Sequence, residues 1–289
     1  SNTKEIDKIV AHFTHNQTQN LTYPLLNKAN CTLNCNFLGT LYDFKADGKL
    51  LSTVGDAEFD VDMEFPGRKK GAIMGINIST EEVELGNILK SNSLGNLSAD
   101  ADLNIKLNPK GGEKLHIGID SLYIHKLGFN QYDYTNLFAV GKLDNELFDG
   151  RIIAHDPNLH LLFQGIVTLH PLNGGDNVFN FYADIPFADL QKLNIDKRGI
   201  KSQISLRTMA NLSTNSNGMF GNVDIKNVTY WGAEKEYNFG AISMKSAFQD
   251  TNYIIDVNAP FLQANLHSTE PFSRFKNRIL DKTVYSHWG

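Results

Sequence analysis

Residues 134–169 read YTNLFAVGKLDNELFDGRIIAHDPNLHLLFQGIVTL, three apolar-rich runs divided by Asp144-Asn145-Glu146 and Asp156-Pro157-Asn158. Asp and Asn favour tight turns because their side chains bond back to the local backbone, and Pro pre-sets one turn torsion. After the second turn, Leu159, Leu161, Phe163, Val167 and Leu169 share one parity, and His160, Gln164, Thr168 and His170 share the other. Successive strand side chains alternate between faces, so the spacing predicts a meander with one apolar and one wet face. Turns this short make its strands antiparallel neighbours.

The same alternation recurs along the chain. Phe59, Val61, Met63 and Phe65 alternate with Glu58, Asp60, Asp62 and Glu64. Further strands are predicted at 97–107, 115–124, 178–183, 199–208, 220–230, 237–246, 252–258 and 261–267. Helical spacing predicts a helix over Thr3–His15 and another over Pro271–Leu280. It also predicts two helical interruptions, at Glu81–Ser91 and Ile185–Leu193. A weak internal repeat has a period of about 100 residues. It matches Asn87-Ile88-Leu89 with Asp189-Leu190-Gln191, both read as short helices. It also matches Gly118-Ile119-Asp120 with Asn222-Val223-Asp224, Tyr134-Thr135-Asn136-Leu137 with Tyr237-Asn238-Phe239-Gly240, and His155-Asp156-Pro157 with Asn258-Ala259-Pro260. Such arrays extend by stacking.

Composition narrows the class. The 289 residues carry a formal net charge of −5 with both signs interspersed, unlike the basic face a nucleic-acid binder needs. No apolar run reaches the length of a transmembrane helix. The start SNTKEID has no apolar signal-peptide core and reads as an internal piece of a longer protein. The two cysteines, Cys31 and Cys35, lie four residues apart on one predicted strand, roughly 13 Å between Cα atoms, beyond disulfide reach. They read as small apolar core residues.

Motifs for nucleotide, serine-hydrolase, zinc-protease or redox chemistry are absent from the sequence. His12 and His15 stand one helical turn apart without a third ligand, and His155 and His160 flank a turn as solvated residues. The Glu58/Asp60/Asp62/Glu64 row reads as a solvated outer face, since calcium loops gather their ligands on a turn. Arg68-Lys69-Lys70 follows Pro66-Gly67 and reads as a loop tip. No catalytic residue, cofactor or metal is assigned. A sheet with one apolar face must pack on a second sheet, close as a barrel, or curl into a trough that holds apolar ligand.

Three segments resemble the repeating unit of TamB proteins of the Bacteroidetes type, within the AsmA-like superfamily. They are YTNLFAVGKLDNELFDGRI followed by AHDPNLHLLFQGIVTL, ELGNILKSNSLGNLSADADLNIKL (Glu84–Leu107), and IKNVTYWGAEKEYNFGAISMKSAFQDTNYIIDVNAPFLQANL (Ile225–Leu266). The resemblance covers most of residues 37–270. It implies an all-β fold: an elongated, curled antiparallel sheet, a β-taco or open groove built from repeats, with short helices between strand groups and at the ends. The expected layout is an N-terminal helix and polar linker (1–28), a repetitive β-groove (29–270) and a C-terminal helical tail (271–289).

The resemblance further implies an internal fragment of a periplasmic bridge protein anchored in the inner membrane. Such a protein carries phospholipid or another acyl-chain ligand, works with an outer-membrane β-barrel partner, and serves outer-membrane biogenesis. About sixteen strands would run roughly 75 Å. The expected groove lining is Phe59, Val61, Met63, Phe65, Leu103, Ile105, Leu107, Phe138, Val140, Leu159, Leu161, Phe163, Val167, Leu169, Ile204, Leu206, Ile242, Met244, Ile255, Val257, Leu262 and Leu266. Ordinary core packing is the alternative for each. Two other functions stay open: a scaffold that binds nascent β-barrel proteins by strand addition, and an adhesin or glycan-binding β-sandwich, for which Tyr230-Trp231 is the sole aromatic cluster.

Overall fold

The computed structural model describes residues 30–40, 42–65, 71–108, 114–144, 147–168, 177–215, 218–249 and 251–270. Both expected terminal helices, His12 and His15, the 66–70 turn and Leu169 lie outside them. The described residues form fifteen strands and one short helix in two compact units, 1–145 and 146–289.

The first unit is a seven-strand antiparallel meander. Its strands are β1 (Cys31–Thr40), β2 (Asp43–Ser52), β3 (Asp56–Glu64), β4 (Ala72–Glu84), β5 (Leu94–Asn108), β6 (Lys114–Phe129) and β7 (Tyr132–Asp144). The single helix, α1 (Leu85–Leu89), joins β4 to β5. The second unit continues the pattern with eight strands: β8 (Leu147–Asp156), β9 (Leu159–Thr168), β10 (Asn177–Asp189), β11 (Gln203–Asn215), β12 (Gly218–Trp231), β13 (Glu236–Gln249), β14 (Asn252–Ala259) and β15 (Leu262–Ser268). Within each unit strand order is chain order, and every pairing is antiparallel. The fold is all-β. Apart from isolated cases, strand backbones of a unit approach within 8 Å only between sequence neighbours among the described residues. The strands of each unit thus form one ladder in chain order.

Two expected helices are corrected. Ile185–Leu193 is strand through Asp189, paired on both sides, then a series of turns. Its helical spacing comes from a β-bulge. Ile185 faces Leu206 and Ala188 faces Ile204, so the strand puts i and i+3 on one side. Pro186 sits inside that bulge, one of the few places a strand accepts proline. Glu81–Ser91 is half corrected: β4 runs on to Glu84 through a bulge between Thr80 and Val83, and only Leu85–Leu89 is helical. Asp189-Leu190 is accordingly strand end and turn, whereas Asn87-Ile88-Leu89 is helical.

The bulges carry the repeat more clearly than the side chains do. The bulge between Thr80 and Val83 recurs 105 residues later between Ile185 and Ala188. The bulge between Ile119 and Leu122 recurs 106 residues later between Ile225 and Val228. Each step is six strands.

The cysteines are both free and stand on β1, which among the described residues pairs with β2 alone. Cys35 is exposed and Cys31 half-buried, so neither takes the expected core position.

Gly165 on β9 adopts a φ of +148°, and a Cβ there would lie 2.3 Å from the Asn180 carbonyl oxygen of β10. Gly75 on β4 has no atom within 4 Å of the same position. Gly165→Ala is expected to lower unfolding stability by about 1–3 kcal/mol. Gly75→Ala is expected to stay within about 0.5 kcal/mol of the parent. Urea unfolding of the two variants checks the contrast.

Candidate functional site

Strand register turns the apolar alternation into a continuous surface. In the first unit one row runs Phe37, Ala46, Val61, Ile76, Leu103, Ile119, Gly141. The next row runs Cys35, Gly48, Phe59, Ile78, Ala101, Leu122, Ala139. In the second unit a row runs Phe148, Val167, Phe179, Leu212, Gly221, Ser246, Ile255, Leu266. Its neighbour runs Gly150, Gly165, Phe181, Ala210, Val223, Met244, Val257, Ala264.

No charged residue interrupts these rows. Asp156, of the same parity, sits in the β8–β9 turn, where it is fully buried and accepts the Asn158 N–H at 2.8 Å. Ser246, the one hydroxyl within the rows, donates to the Met219 carbonyl at 2.6 Å. Buried polar groups tolerated in this way are hydrogen-bonded.

The face holds few fully buried large side chains. Its buried members are mostly alanines, Ala72, Ala99 and Ala139 in the first unit and Ala154, Ala183, Ala188, Ala210 and Ala259 in the second, with Met63, Phe148 and Val228 beside them. Phe59, Val61, Leu103, Ile105, Leu159, Leu161, Phe163, Val167, Ile204, Leu206, Ile242, Met244, Ile255 and Val257 are only half-buried. Leu262 and Leu266 on β15 are about half exposed, at 50% and 49%. Phe163 is bracketed by ring contacts, 6.3 Å to Phe148 and 5.3 Å to Phe181.

The register brings together most of the expected lining. Phe65 follows β3 and contacts the Tyr42 ring. Leu107 belongs to β5, paired with Ala72 and Leu115. Phe138 and Val140 are corrected. Leu137, Ala139 and Leu143 of β7 pair with Ile124, Leu122 and Ile117, whereas Phe138 pairs with Tyr123 on the opposite face and Val140 shares its parity. Both parities of β7 are apolar, so alternation alone cannot choose between them. Leu137, Leu122, Ile124, Phe181, Val223 and Ile225 are face members that the expected lining omits. Pairing register, absent from the sequence, is the signal that adds them.

The opposite face is ionic. In the first unit Lys45 pairs with Asp62 at 2.7 Å, Lys49 pairs with Glu58, and His125 meets Asp100 at 2.7 Å. The hydrogen bond and charge of Asp62 raise the Lys45 pKa, and hydrogen bonds from Ser79 and then His125 hold Asp100 below the usual carboxylate range. This agrees with the solvated-face reading of the acidic row. A shallow depression of about 600 Å³ lies over part of it, lined by Asp47, Asp60, Asn77 and Asp102 among others. Among the described residues no group of three metal-ligating side chains is placed to hold an ion.

Comparison with protein-family models, with curated proteins and with solved structures returns no match. Among the described residues no helix is long and apolar enough to cross a membrane.

At the end of β10, Asp189 is buried and ties two elements together. Its Oδ1 accepts the Lys192 N–H at 3.0 Å and its Oδ2 accepts Gln203 Nε2 at 2.9 Å. Asp189→Ala leaves both donors without their partner and is expected to cost about 1–3 kcal/mol. Urea unfolding measures it, with Asp189→Asn expected to retain more of the stability.

Proposed function

We propose that the chain is a segment of a lipid-conducting β-groove in a periplasmic bridge protein for outer-membrane biogenesis, as the TamB-like segments imply. The observation that carries this reading is the uncharged apolar face, continuous across the strands of each unit, whose large side chains stay half-buried. Contiguous exposed apolar surface beyond a few hundred Å² marks a binding surface. An acyl chain is a fitting occupant. Exposing one in water costs about 0.8 kcal/mol per CH₂, so a sixteen-carbon chain costs on the order of 12 kcal/mol. A carrier must hold that shelter unbroken along the path, which is the property the rows have.

Three features support passage over storage. The face is lined by half-buried rather than locked side chains. It extends from strand to neighbouring strand at about 4.8 Å per step. No charged residue stands in its rows to halt a moving chain. In this reading Phe59, Val61, Phe163, Met244 and Val257 line the path, and the full-length protein meets an inner-membrane source and an outer-membrane β-barrel partner. The chain is a carrier and does no covalent chemistry.

A second reading rests on the sheet edges. β1 and β15 each pair with one neighbour only among the described residues. A free edge can accept a strand from a nascent β-barrel protein.

A photo-crosslinking residue at Phe163 and, separately, at His160 separates the two. Phe163 stands on the apolar face, while His160 is exposed on the opposite one. Phospholipid adducts in cells are expected at Phe163 and not at His160. Intact, folded protein with no lipid adduct at either site contradicts the groove and favours the scaffold. Phe163→Glu is expected to abolish the adducts of a probe at Met244 while the circular dichroism stays that of the parent.

A further inference from the structure

The connection between β10 and β11, residues 190–202 (LQKLNIDKRGIKS), is a built loop of unusual surface character. Its base is tied from both sides: the Leu190 N–H donates to the Ser202 carbonyl at 2.8 Å, and the Leu193 N–H to Asp189 at 2.9 Å. The Ile195 and Asp196 N–H groups both return to the Leu190 carbonyl, at 2.9 and 2.8 Å. Leu193 is 1% exposed and Ser202 is fully buried, with Tyr230 donating to the Ser202 hydroxyl at 3.2 Å. Leu193 anchors the loop as an apolar plug, and Lys192, Ile195, Lys197, Arg198, Ile200 and Lys201 are displayed.

What it displays is positive and apolar together. The loop holds Lys192, Lys197, Arg198 and Lys201 against a single acid, Asp196, in a chain whose net charge is −5. Arg198 neutralises that acid in a 2.6 Å ion pair and covers it, since the Asp196 side chain is only 10% exposed. The pairing holds the Asp196 carboxyl well below the usual carboxylate range. The three lysines are exposed and have no ion-pair partner among the described residues. Between and beside them Ile195 is 60% exposed and Ile200 is 42% exposed. The adjoining strand ends add aromatic character. Gln203 pairs with Trp231, Trp231 with Glu236, and Lys235 lies 4.7 Å over the Tyr237 ring.

We infer that the 190–202 loop docks on the surface of a bilayer containing anionic phospholipid, its lysines on the headgroups and Ile195 and Ile200 between them. Basic residues beside an anionic bilayer and apolar tips that enter its boundary are complementary contributions to interfacial binding. Trp and Tyr concentrate at the same level. A nucleic acid would satisfy the lysines and leave both isoleucines in water. The inference rests on the second unit alone and stands whatever the apolar face carries.

The test is flotation of the purified chain with vesicles of phosphatidylcholine, with and without phosphatidylglycerol. Binding is expected only to the vesicles with phosphatidylglycerol, and it weakens as salt rises. Each lysine near an anionic surface is worth roughly fivefold in affinity, so K192Q/K197Q/K201Q is expected to lose about a hundredfold. I195S/I200S is expected to lose at least about tenfold. All five positions are exposed, and circular dichroism checks that the variants keep the parent fold. Equal binding to both vesicle types, no binding to either, or parent-like binding by the triple lysine variant overturns the inference. Crosslinking at Phe163 reads the groove separately from this result.

Discussion

Register is the constraint on which the structure depends. A strand that slipped by one residue would turn its apolar set from one face to the other. Here every pairing within a unit must keep parity, because the two faces differ so sharply: unbroken apolar rows on one side, Lys45–Asp62 and His125–Asp100 pairs on the other. The bulges serve the same end. Between Ile119 and Leu122 the β6 strand gains a residue, and Ile119, Leu122 and Ile124 nevertheless all remain with the apolar rows. Bulges also increase local twist, and they recur at the repeat spacing. Local twist and face identity are thus set at the same positions.

A one-sided sheet of this kind does not behave as a domain core. Large apolar side chains are commonly driven below a tenth of their exposed area when a second layer covers them. Phe59, Phe163 and Val257 stay half-buried, and alanines occupy most of the fully buried positions. Backbone pairing and lateral contacts between neighbouring rows hold the sheet together, with cross-strand pairs as the unit of stabilisation. What remains unsatisfied is apolar surface facing outward, and that unspent surface is the basis for the acyl-chain reading.

Much of this was legible in the residues. Alternation found the strands because the wet face is strongly charged, as at Glu58–Glu64, where the choice of face is unambiguous. It failed where that contrast disappears. On β7 both parities are apolar, so Phe138 and Val140 look like lining until the Ala139–Leu122 pairing places them opposite. It failed again where a bulge breaks the period of two, and Ile185–Ala188 then imitates a helix. The 190–202 loop was hidden for another reason. Leu193, Ile195 and Ile200 look alike in sequence, and only the fold buries the first and displays the other two.

The central claim is that the apolar face receives acyl chains, and the chain's own methionines report on it. Met63 and Met74 stand on the apolar face of the first unit and Met244 on that of the second, while Met209 of the second unit pairs with Tyr182 and Asp224 on the opposite face and is 57% exposed. Methyl spectra of methionine-labelled protein, recorded with a phospholipid carrying a nitroxide on its acyl chain, compare them in one sample. The account predicts strong broadening of the Met63, Met74 and Met244 signals with Met209 spared. Broadening of Met209 alone, or of none of the four, would contradict it.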